Sequence, residues 1–379
     1  MIHLFALMSF VDMGTEKGPF AEKGCDAGAY ATPFTQYARY VLKGNFTSTA
    51  ATAYLTNGTS TLNLNSLPVG ATVVAAYLFW TGQTNVLNQF ANISFAGNPI
   101  TGTVIAYDCS DCWGTSYNSL YACNVTAYIT GNGSYVVSGF QSLGNSVPGV
   151  NGFTLIVVYC DANPATIRTV SIWTGDIDLQ GCGPDDTSWV QSGFQATNPI
   201  TDARAALTIS ECQDGYNSYA RFNGNFVAYF NGTNPGNHYG HWEGNCAAWM
   251  TGGATQATWY VMRYAEGDSF PADCIAPVVS VISVTSTENE TYNCVLEMEE
   301  GRPALPGKPQ IVSIVPGGII LSGTPGSSAG ITLYDPTGRS EGYSTIIFSR
   351  SGEGFIPAQT GVWFLVAERF GPIGKAVVW

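Results

Sequence analysis

The side chains with the most chemical capacity in this chain are its ten cysteines: Cys25, Cys109, Cys112, Cys123, Cys160, Cys182, Cys212, Cys246, Cys274 and Cys294. The set is even, and it lacks the paired spacing of a zinc ribbon. Disulfides are therefore expected, with all ten cysteines bridged. Cys109-Ser110-Asp111-Cys112 has the spacing of a redox motif, but no βαβ pattern surrounds it, and Trp113 stands where a haem attachment motif needs His. A stapled loop is the expectation there.

Any catalytic imidazole must come from His3, His238 or His241. The last two lie in NPGNHYGHWEGN, whose glycines and asparagines read as a loop, whereas a metalloprotease motif needs a helix and an intervening Glu. Asp176, Asp178, Asp185 and Asp186 fall within DIDLQGCGPDD, and hard oxygen ligands on a turn are what Ca²⁺ takes. The EF-hand spacing is missing, so calcium stands beside a solvated turn closed by Cys182. No GxSxG elbow or Gly-rich phosphate loop occurs. The sequence thus offers no catalytic residue, and the expectation is that this is not an enzyme and needs no cofactor apart from possible Ca²⁺.

Asn45, Asn57, Asn92, Asn124, Asn132, Asn231 and Asn289 each precede X-Ser or X-Thr and are candidate glycosylation sites. With even cysteines they favour an oxidising, extracellular, cell-surface location. Charged residues make up only 11% of the chain, and 14 Lys plus Arg against 27 Asp plus Glu give a net charge of -13. No basic run exists to neutralise a phosphate backbone, which argues against nucleic acid as a partner. No stretch reaches the 18 to 20 or so apolar residues of a membrane span.

These residues must be positioned by strands. Short runs rich in Val, Ile, Tyr, Phe and Thr, such as ATVVAAYLFW (71–80), FTLIVVY (153–159) and ATWYVMRY (257–264), alternate with Gly, Asn, Pro and Asp turns. No window keeps helical periodicity. The 379 residues, at roughly 150 per domain, allow two or three domains. The fold class is all-β: tandem β-sandwich units, jelly-roll or Ig-like, with a small C-terminal β-domain and disulfide staples. The expected divisions are an N-terminal strand and flexible segment (1–31), a first sandwich (32–175), a second sandwich or continuation of the first (176–286), an acidic, Pro-rich linker (287–309) and the terminal domain (310–379).

At the N-terminus, Ile2, Leu4, Ala6, Met8 and Phe10 line one face of a strand, while Phe5, Leu7 and Val11 line the other. A strand apolar on both faces must be buried on both. It belongs either inside its own domain, or to remnant leader sequence, or to a neighbour's sheet as a donor strand, the β-augmentation mode of pilus assembly. The run lacks the basic start of a signal peptide, its first Lys being Lys17.

LPVGATVVAAYLFWTG (67–82), YACNVTAYI (121–129), GSYVVSGF (133–140) and NGFTLIVVYCDANPATIRTVSIWTG (151–175) resemble a domain of unknown function found in archaeal and bacterial cell-surface proteins. Its members carry a similar G-A-x-V-x-x-A-Y-L-Y-W-x-G strand, a DVT element, a Y-x-V-x-G strand and a G-x-x-L-V-V-V-Y strand. Asn124 stands where that family usually has Asp. The resemblance implies an extracellular β-sandwich of surface or adhesive assemblies, including archaeal filaments or pili, and supplies no catalytic residues. The expected function is a structural subunit of an extracellular filament, pilus-like fibre or surface layer, with copies of itself as partners. The alternative is a carbohydrate-binding adhesin with glycans as partners.

Overall fold

The computed structural model describes residues 31–292 except 111, 162–165, 181–183 and 266–272, together with Cys294 and the strands of the C-terminal segment. Residues 1–30, and with them the expected donor strand and Cys25, lie outside the described residues. The chain divides into two compact units, Met1–Met298 and Glu299–Trp379.

The strands of the first unit are, in chain order, β1 (Thr32–Leu42), β2 (Gly44–Thr52), β3 (Thr59–Leu64), β4 (Thr72–Thr84), β5 (Asn92–Phe95), β6 (Asn98–Thr101), β7 (Thr103–Asp108), β8 (Tyr117–Asn124), β9 (Gly133–Ser138), β10 (Gly149–Cys160), β11 (Arg168–Asp176), β12 (Asp186–Ser192), β13 (Ala203–Ser210), β14 (Ser218–Phe222), β15 (Asn225–Phe230), β16 (Pro235–Gly236), β17 (Tyr239–Asn245), β18 (Gln256–Met262) and β19 (Ala276–Thr285). They make an all-β architecture with only two single-turn 3-10 helices, at Thr126–Tyr128 and Ala247–Trp249. Four antiparallel sheets stack as layers. An outer sheet, β3-β9-β5-β6, covers an inner one, β2-β10-β4-β8-β7; the second inner sheet, β1-β11-β19-β13-β17-β16, is covered by the outer sheet β12-β18-β14-β15. The result is two sandwiches packed through their inner sheets.

The sequence dictates which sheets are inner. In β3 and β18 buried and exposed residues alternate, as a half-solvated strand requires. Every residue of β10 (GVNGFTLIVVYC) and of β19 (APVVSVISVT) is buried. In β10, Phe153, Leu155, Val157 and Tyr159 join the core of the first sandwich, while Ile156, Val158 and Cys160 point into the seam between the two inner sheets. In β19, Val279 and Val281 face the seam, and Ile282 and Val284 face the second core. An uninterrupted apolar run is the signature of a strand with a core on either side. Each fully buried side chain contributes about 1.5–3 kcal/mol.

The connectivity crosses the expected division at 175/176. β1 and β11, placed by sequence in the first block, pair with each other and join β19 of the second sandwich. The first sandwich is thus built from the stretch between β2 and β10, and the chain enters and leaves it through the neighbouring sheet.

In the second unit, β20 (Gln310–Val315), β21 (Gly318–Ser322), β22 (Ser328–Tyr334), β23 (Ser340–Ile347), β24 (Glu353–Pro357), β25 (Gly361–Ala367) and β26 (Gly371–Val378) form the sheets β20-β21-β24 and β23-β22-β25-β26. Ile319, Leu321, Ile331, Ile356 and Leu365, on strands of both sheets, are buried.

Candidate functional site

Polar and ionisable side chains concentrate in the seam between the two inner sheets. One half of the seam is apolar, with Leu42, Phe46, Phe79, Leu120, Ile156, Val170 and Val281 in contact. The other half is a ladder of hydrogen bonds from sheet to sheet. Thr154 of β10 meets the Thr208 hydroxyl of β13 and the Tyr239 hydroxyl of β17, each at 3.1 Å. Thr81 of β4 meets Ser210 at 2.8 Å, and the Asn151 amide donates to the same Ser210 oxygen at 2.6 Å. The sheets approach closely here: a Cβ on Gly152 would lie 2.3 Å from Cγ of Tyr239.

Beyond the ladder the strand ends bring Asp176 together with three carboxyl groups that sequence reasoning missed. Glu211 and Asp176 are fully buried, and Asp108 and Asp273 nearly so. The Gln83 amide donates to Glu211 at 2.5 Å, and the Asn118 amide donates to Asp176 at 3.1 Å, both across the seam. Asp108 accepts the backbone N–H groups of Cys109 and Asp178, and Asp273 accepts those of Gln213 and Cys274. The second carboxyl oxygens of Asp176 and Glu211 have no hydrogen-bond partner.

Burial disfavours charge on all of these acids. It pushes Glu211 up to about 8, with the Asp273 and Asp108 charges adding and the Gln83 amide opposing. Burial likewise lifts Asp273 to about 7, partly offset by its two backbone donors. Asp176 is raised well above the usual carboxylate range by burial and by Asp108 and Glu211. At neutral pH the cluster therefore holds protons.

The two late histidines do not converge. His238 is buried at positive φ (65°), its ring 4.1 Å from Tyr54 and 4.8 Å from Trp113. His241 lies between Ser48 (2.9 Å to Nε2) and Thr208 (3.0 Å to Nδ1). A Ser hydroxyl on an imidazole has the outline of a nucleophile and its base. Three features argue against that role. Nδ1 meets a neutral hydroxyl, the Ser48 hydroxyl donates to Glu243, and burial pushes His241 down to about 4, far from the range of an effective base at neutral pH. These contacts pin β2 to β17.

The expected calcium ligands separate into two pairs. Asp176 and Asp178 are buried near the seam, whereas Asp185 accepts from Arg263 and the Tyr264 hydroxyl, and Asp186 accepts from the Tyr260 hydroxyl at 3.0 Å. Among the described residues no group of three His, Cys, Asp or Glu side chains is arranged to hold a metal ion.

Cys112 is bonded to Cys274 and Cys160 to Cys294, and Cys109 is also disulfide-bonded. Cys123, Cys212 and Cys246 are free thiols, so the expectation that all ten are bridged is corrected. Parity says nothing about proximity. Cys212 and Cys246 are small apolar members of the second core, and Cys123, on β8, packs against the core of the first sandwich. Burial raises all three thiols, Cys246 to about 12, which disfavours the reactive thiolate. Cys182 lies outside the described residues.

Of the sequons, Asn57, Asn92, Asn124, Asn132 and Asn289 are exposed and Asn231 is half-buried. Asn45 is buried, with its side-chain oxygen on the Phe46 N–H, a position closed to sugar in the folded protein.

Both pairings link the inner sheets, and they do so at opposite ends. Cys112, in the loop between β7 and β8, is joined to Cys274 just before β19, at the carboxyl-cluster end. Cys160, the last residue of β10, is joined to Cys294 beyond the far end of β19. Fold and site together define a disulfide-stitched double β-sandwich. The chain belongs to the family described as Protein of unknown function (DUF3344), which matches residues 20–238. No curated protein matches it.

Solved structures with partial similarity include an FMN-binding β-glucuronidase from Faecalibacterium prausnitzii L2-6, 13% identical over 56% of this chain and 32% of that one, with a TM-score of 0.18. Another is the apo β-glucuronidase of Ruminococcus gnavus, 7% identical over 51% of this chain and 36% of that one, with a TM-score of 0.20. The chain spans about a third of the length of these enzymes. Similarity this low carries no argument about activity. No helix among the described residues is long and apolar enough to cross a membrane.

Proposed function

We propose that this protein is a structural subunit of an extracellular filament, fibre or surface layer, and that its first unit transmits force as a single body. The observation that carries this reading is the placement of two disulfides, Cys112–Cys274 and Cys160–Cys294, across one seam, at its two ends. A hydrogen-bonded seam alone separates when the sandwiches are pulled apart; one closed at both ends must break covalent bonds. Ser48 and His241 are not an activated nucleophile and its base, and sparse charge suits a subunit that packs against copies of itself. Strand donation by Ile2–Phe10 is the proposed means of linkage.

Force spectroscopy on the full chain tests the clamp. The Cys112–Cys274 bond bypasses 162 residues, so at about 3.5 Å per residue the oxidised chain should extend roughly 570 Å less than the reduced one. Equal extensions in the two states would show that the seam carries no load through its disulfides.

A further inference from the structure

The outer sheet of the second sandwich has a second face, and the strand register places its side chains pair by pair. Ser188 stands opposite Tyr260, Tyr260 opposite Arg221, and Arg221 opposite Phe226. One pleat along, Asp186 faces Met262, Met262 faces Tyr219, and Tyr219 faces Tyr229. Strands lie about 4.8 Å apart and like-facing rows about 7 Å apart, so four aromatic rings share one platform. Ring centroids of Tyr219 lie 6.2 Å from Tyr260 and 6.5 Å from Phe226, and Phe226 is 4.9 Å from Tyr229. Tyr219 is covered by its neighbours, but Phe226 is 39% and Tyr229 47% exposed. The core needs neither ring, because Trp189, Phe222 and Trp259 already fill the inward face.

Area and charge decide what such a face fits. Three strand spacings by five to seven residues amount to roughly 250–350 Å², well under the ~800 Å² per partner of a standard protein interface. The face carries one acidic and one basic side chain, Asp186 and Arg221, which cancel, so it offers no net charge to a charged partner. Around the rings, Ser188, Gln256 and Thr258 are exposed and offer hydroxyl and amide groups, and Asp186 holds the Tyr260 hydroxyl at 3.0 Å. Apolar ring faces edged by uncharged hydrogen-bonding groups match a ligand with C–H faces and hydroxyl edges.

We propose that Tyr260, Phe226 and Tyr229 form a stacking platform for a neutral saccharide chain, with Asp186 and Thr258 hydrogen-bonding to its hydroxyls. The site is independent of the structural role above: a subunit with this platform could hold a polysaccharide matrix while bearing load.

Calorimetric titration of the oxidised full chain with cellohexaose, mannohexaose and chitohexaose tests it. Saturable binding of at least one is expected. Phe226→Ala and Tyr229→Ala should each weaken it about tenfold or more, and Tyr229→Phe, which keeps the ring, should stay within about threefold, with melting temperatures unchanged because both sites are exposed. Failure of all three sugars to bind, or binding indifferent to both alanine variants, would overturn the proposal. So would sedimentation showing a wild-type dimer that Phe226→Ala dissolves, since the occupant would then be a second copy.

Discussion

Glu211 allows the polar end of the seam to be tested by a change of one atom. Its carboxyl is fully buried among Asp108, Asp176 and Asp273, with the Gln83 amide on one oxygen and nothing on the other. Its folded value of about 8 lies above the ordinary 4.5, so between those pH values the native state binds protons that the unfolded state has released. Stability then falls as pH rises. The contribution is intact below about pH 4.5 and is lost as pH passes through about 8, with a ceiling slope of about 1.4 kcal/mol per pH unit for each titrating group. Asp273, raised to about 7, acts in the same direction. Together they amount to several kcal/mol between pH 5 and 8, a large share of the 5–15 kcal/mol typical of a domain. Glu211→Gln keeps the shape and abolishes the titration. Urea unfolding at pH 5, 6.5 and 8 should show the wild type losing stability across the series, and the Gln variant losing distinctly less and exceeding the wild type at pH 8. Wild-type stability that rises from pH 5 to pH 8 would refute the reasoning.

The seam also predicts responses to covalent and steric change. Loops of 162 and 134 residues are closed by Cys112–Cys274 and Cys160–Cys294; chain entropy sets a ceiling of about 5 kcal/mol for each, and less than the sum for both because the loops overlap. Cys112→Ser with Cys274→Ser should therefore lower the urea midpoint by an amount readable in one titration, and an unchanged midpoint would contradict the clamp. Gly152→Val should cost about 1–3 kcal/mol or more, since its side chain must displace the Tyr239 ring across the seam; thermal unfolding reads this, and a neutral result would mean that the sheets do not approach there. Thiol titration of the denatured, unreduced chain should find Cys123, Cys212 and Cys246, while in the native protein Cys123 alone should react, slowly. No thiol at all would refute the pairing described.

Much of the architecture is legible in the residues, and its limits have physical causes. Strands announce themselves through alternation in TSTLNL and QATWYVM, and a continuous apolar run such as FTLIVVYC announces a strand buried on both faces. What a run cannot state is its partner. β1 and β11 read as part of the first block because they are adjacent to it in sequence, yet β1 pairs with β11, and β11 pairs in turn with β19, more than a hundred residues further along the chain. The carboxyl cluster was illegible for the same reason. Asp108, Asp176, Glu211 and Asp273 come from four separate strand ends, and only Asp176 stood in an acidic run; a glutamate wedged between a buried strand and a cysteine, as in Ile209-Ser210-Glu211-Cys212, was the one local sign. Cysteine parity misled because it counts thiols without locating them. The aromatic platform was hidden because tyrosine and phenylalanine on a strand read alike whether they face a core or the solvent.

Electron microscopy of the full-length oxidised protein, negatively stained over a concentration series beside a variant lacking residues 1–13, tests the structural reading most directly. The account predicts ordered fibres or sheets from the full chain, and folded single particles from the truncated one. Single particles of the full chain at every concentration would contradict it.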